Sequence, residues 1–245
     1  MTLPSIETPR YELTLPSTDK VIQFRPFLVK EEKILLVAME SNNNNEILNA
    51  IKEILTACTY EDIDVNTLPI FDIEYIFLQI RSKSVGEVSK VKLLCPDDNE
   101  TYADVEIDLT KVNVQVDDDH TNNIVIDKEK NIGIIMKYPT IDSVDTTKNV
   151  KGMKTEQLFD MIATCMHEIY EGDKVHNVND YTKEELHKFL EGVSGKTFEK
   201  INKFFESMPQ LKHEFEIENP KTKVKSKVVL SGLQSFFVSP SHMTT

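Results

Sequence analysis

The sequence predicts an α+β protein with a helical core and segregated antiparallel β-hairpins, organised as two helix-plus-hairpin units. Three observations lead to this prediction. A strongly apolar helical segment lies in the N-terminal half of the 245-residue chain. The segments that follow it carry apolar residues at every second position, as strands with one buried face do. Helical spacing then returns before a last pair of strands.

The segment Leu68–Glu87 predicts a buried central helix at 69–83. Pro69 suits the first turn of a helix, where the backbone N–H has no intrahelical partner. We expect Ile76 and Phe77 to be almost fully buried, because the apolar positions surround the helix axis. Those positions are Ile70, Phe71, Ile73, Tyr75, Ile76, Phe77, Leu78 and Ile80.

A hairpin and two helices are expected before the central helix. Tyr11–Leu15 and Val21–Phe24 flank a polar turn, which is typical of a hairpin. The apolar run Ile34–Met39 predicts that a helix over Val29–Glu40 is buried. A second helix follows, and Asn43 and Glu46 form the capping pair at its start. Its apolar face consists of Ile47, Leu48, Ile51, Ile54, Leu55 and Cys58.

Strand patterns dominate the region after the central helix. Alternating apolar residues on both sides of the polar turn Cys95–Glu100 predict a hairpin. The alternation continues over 112–116 and predicts a further strand. A polar loop at 117–123 then leads to another hairpin, with strands at 124–126 and 132–136.

The C-terminal part begins with a predicted helix from Thr155 to Gly172. Its apolar stripe has helical spacing: Leu158, Phe159, Ile162, Ala163, Met166, Ile169 and Tyr170. Start and stop signals predict two more helices, from Thr182 to Gly192 and from Ser194 to Pro209. The last predicted elements are strands at 211–217 and 224–230 and an apolar turn at 232–237.

These elements predict a division into two parts. The first is an N-terminal α+β domain at 1–138, and the second is a C-terminal helical region with a β-hairpin at 154–237. The polar stretch 139–153 is the expected junction, and 238–245 is the expected flexible tail.

The composition narrows the class of protein. Forty-one acidic and 28 basic residues give a net charge of −13, which disfavours general binding to nucleic acids or anionic membranes. Three widely spaced cysteines do not form a disulfide framework, so a reducing cytosol is the expected setting. The first ten residues lack the pattern of a secretory signal.

The sequence predicts neither a catalytic site nor a cofactor. His167 and Glu168 resemble the start of a zinc-protease helix, but Glu171 stands where the second histidine ligand is required. Cys95 followed by proline resembles one knuckle of a zinc ribbon, yet no further cysteine or histidine completes four ligands. A metal-dependent hydrolase built on His167, Glu168 and Glu171 is therefore a remote alternative.

Four lysines form the candidate site for partner binding. They are Lys221, Lys223, Lys225 and Lys227. Because they alternate along the last hairpin, they are expected to share one face. One interpretation is an edge strand protected from aggregation by charge. The other is a docking surface for an acidic partner, such as the Asp97–Asp119 region of a second copy.

Three stretches carry a family resemblance. They are FRPFLVKEEKILLVAMES at Phe24–Ser41, LPIFDIEYIFLQIRSKSVGE at Leu68–Glu87, and FFESMPQLKHEF with LSGLQSFF at Phe204–Phe215 and Leu230–Phe237. Together they resemble the baseplate proteins of T-even-like contractile-tailed phages, in particular the baseplate hub assembly protein. Relatives often carry paired cysteines in the two hairpins, whereas this chain has only Cys95.

The resemblance implies a non-enzymatic subunit or assembly factor of the baseplate hub. Its partners would be other tail hub proteins, with self-association a further option. Its location would be the host cytoplasm during assembly, and then the tail baseplate of the virion. A cytosolic regulatory protein-binding module is the alternative.

Overall fold

The computed structural model describes residues 7–41, 43–143 and 154–232. These residues form six α-helices and eleven strands, and every strand pair is antiparallel. The predicted α+β class is confirmed. The helices are α1 Val29–Glu40, α2 Asn44–Cys58, α3 Ile70–Ser84, α4 Thr155–Cys165, α5 Lys183–Glu191 and α6 Gly195–Ser207.

The strands form two isolated hairpins and two larger sheets. In chain order they are β1 Tyr11–Thr14, β2 Val21–Phe24, β3 Val88–Leu94, β4 Tyr102–Asp108, β5 Asn113–Gln115, β6 Asn123–Asp127, β7 Ile132–Met136, β8 Met166–Glu171, β9 Lys174–Asn177, β10 Gln210–Glu218 and β11 Lys225–Ser231. The sheets are β1–β2, β3–β4, β11–β10–β5 and β6–β7–β8–β9.

The chain divides into two compact units. The first contains residues 1–115 and 210–245, and the second contains Val116–Pro209. The predicted boundary at 139–153 stays a prediction, because 144–153 lie outside the described residues. The expected tail at 238–245 and the apolar turn beyond Gly232 also lie outside them.

Helix α3 provides much of the core of the first unit. Ile76 and Phe77 are buried, as predicted, and so is Leu78. Its first turn also contains a buried carboxylate, Asp72, which accepts hydrogen bonds from the backbone N–H and the hydroxyl of Ser17 in the β1–β2 turn. These bonds satisfy a group that would be costly to bury alone.

The β3–β4 and β10–β11 hairpins complete the core of the first unit. Leu78 of α3 packs with apolar residues from β3, β4, the 3-10 turn at Leu109–Lys111, β10 and β11: Val91, Ile107, Leu109, Val112, Leu211 and Leu230. A smaller cluster brings the two hairpins into direct contact through Cys95, Ala103 and Ile217. Both predicted helix–hairpin successions, α3 with β3–β4 and α6 with β10–β11, are present along the chain.

The prediction that α1 is buried is wrong. Of the run Ile34–Met39, Ala38 is buried and Ile34 and Leu35 are partly buried, whereas Leu36, Val37 and Met39 are exposed. A six-residue apolar run spans more than one full turn of a helix. The helix packs through one side against α2, so part of the run must face outward.

The second unit consists of the four-stranded sheet and three helices. Its core combines sheet residues with residues of α4, α5 and α6: Ile124, Ile134, Met136, Met161, Ile162, Ile169, Leu186, Leu190, Ile201, Phe204 and Phe205. The predicted helix starts are confirmed: Thr182 and Glu185 form a reciprocal capping box, and the Ser194 hydroxyl accepts a bond from the N–H of Thr197.

The predicted helix from Thr155 to Gly172 is wrong beyond Cys165. Residues Met166–Glu171 form β8, which pairs with β7, and Gly172 lies in the turn to β9. The register shifts where Met166 pairs with Met136 but Glu168 pairs with Ile135. The extra residue of this bulge lets Met166 and Ile169 both face the core. Their spacing of three imitates a helix, which explains the error.

Candidate functional site

The turn between β10 and β11, residues 219–224, and the first residues of β11 contain the four lysines. Lys225 and Lys227 share the exposed face of β11, as predicted. Lys221 and Lys223 lie in the turn instead, and both are exposed. The predicted common face therefore holds for two of the lysines, and the other two extend from the end of the hairpin.

Cross-strand register places glutamates opposite the strand lysines. Glu218 pairs with Lys225, and Glu216 pairs with Lys227. Opposite charges at paired positions attract each other and lower the net charge of the face. Lys223 Nζ also lies 3.7 Å from Glu218 Oε1. Lys223, Lys225 and Lys227 therefore each have a glutamate at a paired or neighbouring position that offsets part of their charge, whereas Lys221 forms no ion pair within the described part of the chain.

Three hairpin turns of the first unit share one design. Each has proline as its second residue, at Pro16, Pro96 and Pro220. In each, the residue three positions later donates its N–H to the carbonyl of the residue before the proline. That residue has a positive φ in all three turns: 55° at Asp19, 53° at Asn99 and 66° at Lys223.

Lys223 is the unusual member of this set. Asn and Asp tolerate the left-handed conformation because their short polar side chains bond locally, whereas lysine gains no such compensation. The left-handed backbone conformation therefore costs more conformational free energy at Lys223 than at Asp19 or Asn99.

Asn219 joins the β10–β11 turn to the β3–β4 turn. It is 1% exposed. Its Nδ2 donates to Asp97 Oδ1 at 3.0 Å and to Asp98 Oδ2 at 3.0 Å. Its Oδ1 accepts from the backbone N–H groups of Lys221 at 2.8 Å and Thr222 at 3.2 Å. All the hydrogen-bonding groups of this buried amide are satisfied, so the turn has a fixed position.

The same contacts keep two adjacent carboxylates charged. Hydrogen bonds from Thr222 and then Asn219 hold the pKa of Asp97 below its usual range. Hydrogen bonds from Thr101, together with a further hydrogen bond from Asn219, lower the pKa of Asp98. Hydrogen bonds to the ionised form explain both directions. These two aspartates therefore form hydrogen bonds within their own chain. They belong to the acidic region Asp97–Asp119, for which the sequence analysis considers contact with the lysines of a second copy.

Cys95 lies beneath this contact, buried beside Ala103 and Ile217. Burial raises the pKa of its thiol, and the nearby charges of Asp97 and Asp98 act in the same direction. A neutral thiol is a poor metal ligand and a poor nucleophile. Within residues 7–41, 43–143 and 154–232, no group of three or more His, Cys, Asp or Glu side chains has the arrangement of a metal site.

The residues of the remote hydrolase alternative lie on β8 rather than on a helix. His167 and Glu171 are roughly 13 Å apart along an extended strand, which is too far to share a metal ion. His176 of β9 is the histidine near Glu171, with His176 Nε2 4.0 Å from Glu171 Oε2. The expected helical pair is not formed.

A partly open pocket of about 510 Å³ lies between the sheet and α5 of the second unit. Ile169, Leu186 and Phe189 are among its apolar walls. His176 and Tyr181 stand at its polar side, joined by a 2.7 Å contact between His176 Nδ1 and the Tyr181 hydroxyl. The sequence pattern does not reveal this pocket, because it predicts a helix over the residues of β8 and no element over those of β9.

No helix among the described residues has the length and apolar character needed to cross a membrane. The chain matches the family of the T4 bacteriophage base plate protein over residues 8–238, and it belongs to that family. No curated protein and no solved structure matches the chain.

Proposed function

We propose that the chain is a non-enzymatic component of the baseplate hub that docks onto other hub proteins through the β10–β11 turn. It acts as a subunit or as an assembly factor, in the host cytoplasm during assembly and then in the tail baseplate. Family membership supports contacts with other baseplate proteins. The four lysines would meet an acidic surface, and Lys221 would contribute a charge that no glutamate of the described residues offsets.

The observation that carries this proposal is the conformation of Lys223. Asp19 and Asn99 occupy the equivalent positions of two similar turns, so an asparagine there would suit the backbone better. A residue kept at a cost to stability is expected where function requires it. The bonds of Asn219 support the same idea, because a fixed turn loses little conformational freedom on binding.

The first experiment separates stability from docking at Lys223. We expect Lys223→Asn to raise the free energy of unfolding by up to about 1 kcal/mol, by analogy with other left-handed positions, while weakening the recovery of hub proteins from infected cells. The matched control is Lys92→Asn, which removes an exposed lysine paired with Asp104 on β4. Recovery that matches the wild type in both variants would contradict the proposal.

The second experiment tests the charge of the turn. Lys221→Glu with Lys223→Glu should lower hub-protein recovery and tail formation most strongly at low ionic strength, because salt screens such attraction. Lys90→Glu with Lys92→Glu is the control, since it reverses two exposed lysines on another hairpin of the same unit. Equal losses in the two pairs would show a general charge effect and reject a specific site.

The placement in the hub needs a separate measurement. Density for this chain in a map of an intact tail would support a subunit, and its absence there with recovery of hub proteins from assembling cells would support an assembly factor. Failure to recover any hub protein would reject both roles and favour the regulatory binding module.

A further inference from the structure

Helix α1 exposes an apolar surface with a particular charge arrangement. Val29, Leu36, Val37 and Met39 are 80%, 55%, 56% and 40% exposed. No other helix or strand in the described part of the chain exposes as many large apolar side chains. Clustered exposure of this kind marks interaction surfaces.

Two charged residues lie on the same stripe of α1. Val29, Lys33, Leu36 and Glu40 are separated by four, three and four positions, so they lie along one side of the helix. Lys33 and Glu40 are both exposed, and neither has an ion-pair partner among the described residues. The stripe therefore has a cation on one side of Leu36 and an anion on the other.

We propose that two copies of this chain pair through α1, with the two helices antiparallel. A two-fold axis midway between positions 33 and 40 passes beside Leu36 and Val37. It places Lys33 of each copy against Glu40 of the other and brings the apolar residues together at the centre. A surface that is complementary to its own reversed copy is what a symmetric dimer interface requires.

The size of the contact predicts weak pairing. The 12 residues of α1 span about 18 Å. A contact of this length lies at the low end of protein interfaces, below about 1,200 Å² of total buried area. Dimers should therefore form at high protein concentration, or where an assembly holds two copies close together.

Charge reversal provides the decisive test. By sedimentation equilibrium at low ionic strength, Lys33→Glu and Glu40→Lys should each weaken self-association roughly tenfold, since each creates two like-charge contacts. The double variant should regain wild-type association, because it exchanges the two charges. A mixture of the two single variants should form heterodimers, because each charge of one then meets its opposite on the other.

Apolar variants test the centre of the interface. Leu36→Gln should remove measurable dimer. The control is Val175→Gln, which changes an exposed apolar residue outside α1, in the second unit, and should leave the dimer unchanged. Thermal unfolding confirms that each variant is folded. A wild type that stays monomeric at the highest concentration reached would overturn the proposal. So would single reversals that the double variant and the mixture fail to restore, because the face would then serve a different partner.

Discussion

Tyr170 of β8 lies directly opposite Gly133 of β7, and its ring covers the backbone where a side chain would otherwise stand. The Tyr170 hydroxyl continues across the sheet and donates a hydrogen bond to Asn123 Oδ1 at 2.9 Å. A glycine in a central strand leaves a gap that an aromatic neighbour can fill. One aromatic side chain therefore joins three strands of the second unit.

Gly133→Ala should destabilise the protein by about 1–3 kcal/mol, as overpacked sites do. The new methyl group would meet the Tyr170 ring and displace it from Asn123. Urea unfolding gives the free-energy change. Gly195→Ala is the matched control, because a methyl group there meets no atom within 4 Å.

The contact between Tyr170 and Gly133 also predicts how the two substitutions combine. In a Tyr170→Ala background the space above Gly133 is empty, so Gly133→Ala should cost little or nothing. A double-mutant cycle measures this coupling. An equal cost in both backgrounds would mean that the alanine acts on the strand itself and not on the tyrosine.

His120 is held in one tautomer by its neighbours. Ser207 donates its hydroxyl to the Lys203 carbonyl at 2.7 Å, so the 3.0 Å contact with His120 requires Nδ1–H to donate to Ser207 Oγ. Nε2 then accepts from the Tyr138 hydroxyl at 3.0 Å. Burial lowers the pKa of His120, and Asp117 partly opposes this.

This environment predicts that stability falls as the solution becomes acidic. Below about pH 6.5, the ordinary histidine pKa, the unfolded chain binds a proton that the folded His120 does not. Unfolding is then favoured as the pH decreases towards the lowered pKa. His120→Gln should reduce this loss between pH 7 and 5.5, measured as the thermal midpoint. An unchanged pH profile in the variant would assign the loss to other groups.

Asn219→Ala should destabilise the first unit by about 1–3 kcal/mol, because it leaves the turn N–H groups without their acceptor. Asn219→Asp should be worse at neutral pH, since a third carboxylate would face Asp97 and Asp98. Urea unfolding at pH 7 compares the two variants. Asn66→Ala removes an exposed amide bonded within its own turn and should have little effect.

Phe77→Ala should cost about 3–5 kcal/mol, the usual range for a buried phenylalanine. The side chain is 3% exposed on α3. Tyr102→Ala, at a residue that is 48% exposed, is the control and should change stability far less. A thermal midpoint that Phe77→Ala leaves unchanged would be incompatible with a central role for α3.

The sequence predicted most elements because their signals are local. The capping box of Thr182 and Glu185, the period of two in β3 and β4, and the apolar surface of α3 each depend on neighbouring residues. The prolines of the three similar turns, Pro16, Pro96 and Pro220, are also local signals, but the positive φ that the turns share is visible only in the structure. The sequence predicts the four lysines as a group. Only the structure shows that Lys225 and Lys227 lie on β11 whereas Lys221 and Lys223 lie in the turn.

The sequence by itself determined the α+β class, the buried α3 and the resemblance to phage baseplate proteins, because periodicity, capping and characteristic stretches are written in consecutive residues. Tertiary structure decided the rest. It placed Met166–Glu171 beside β7, where strand pairing outweighs helical spacing, and it left one side of α1 in solvent. It also brought Asn219 to Asp97, more than 100 positions away in the chain, a contact that no local pattern contains because it depends on how two hairpins pack.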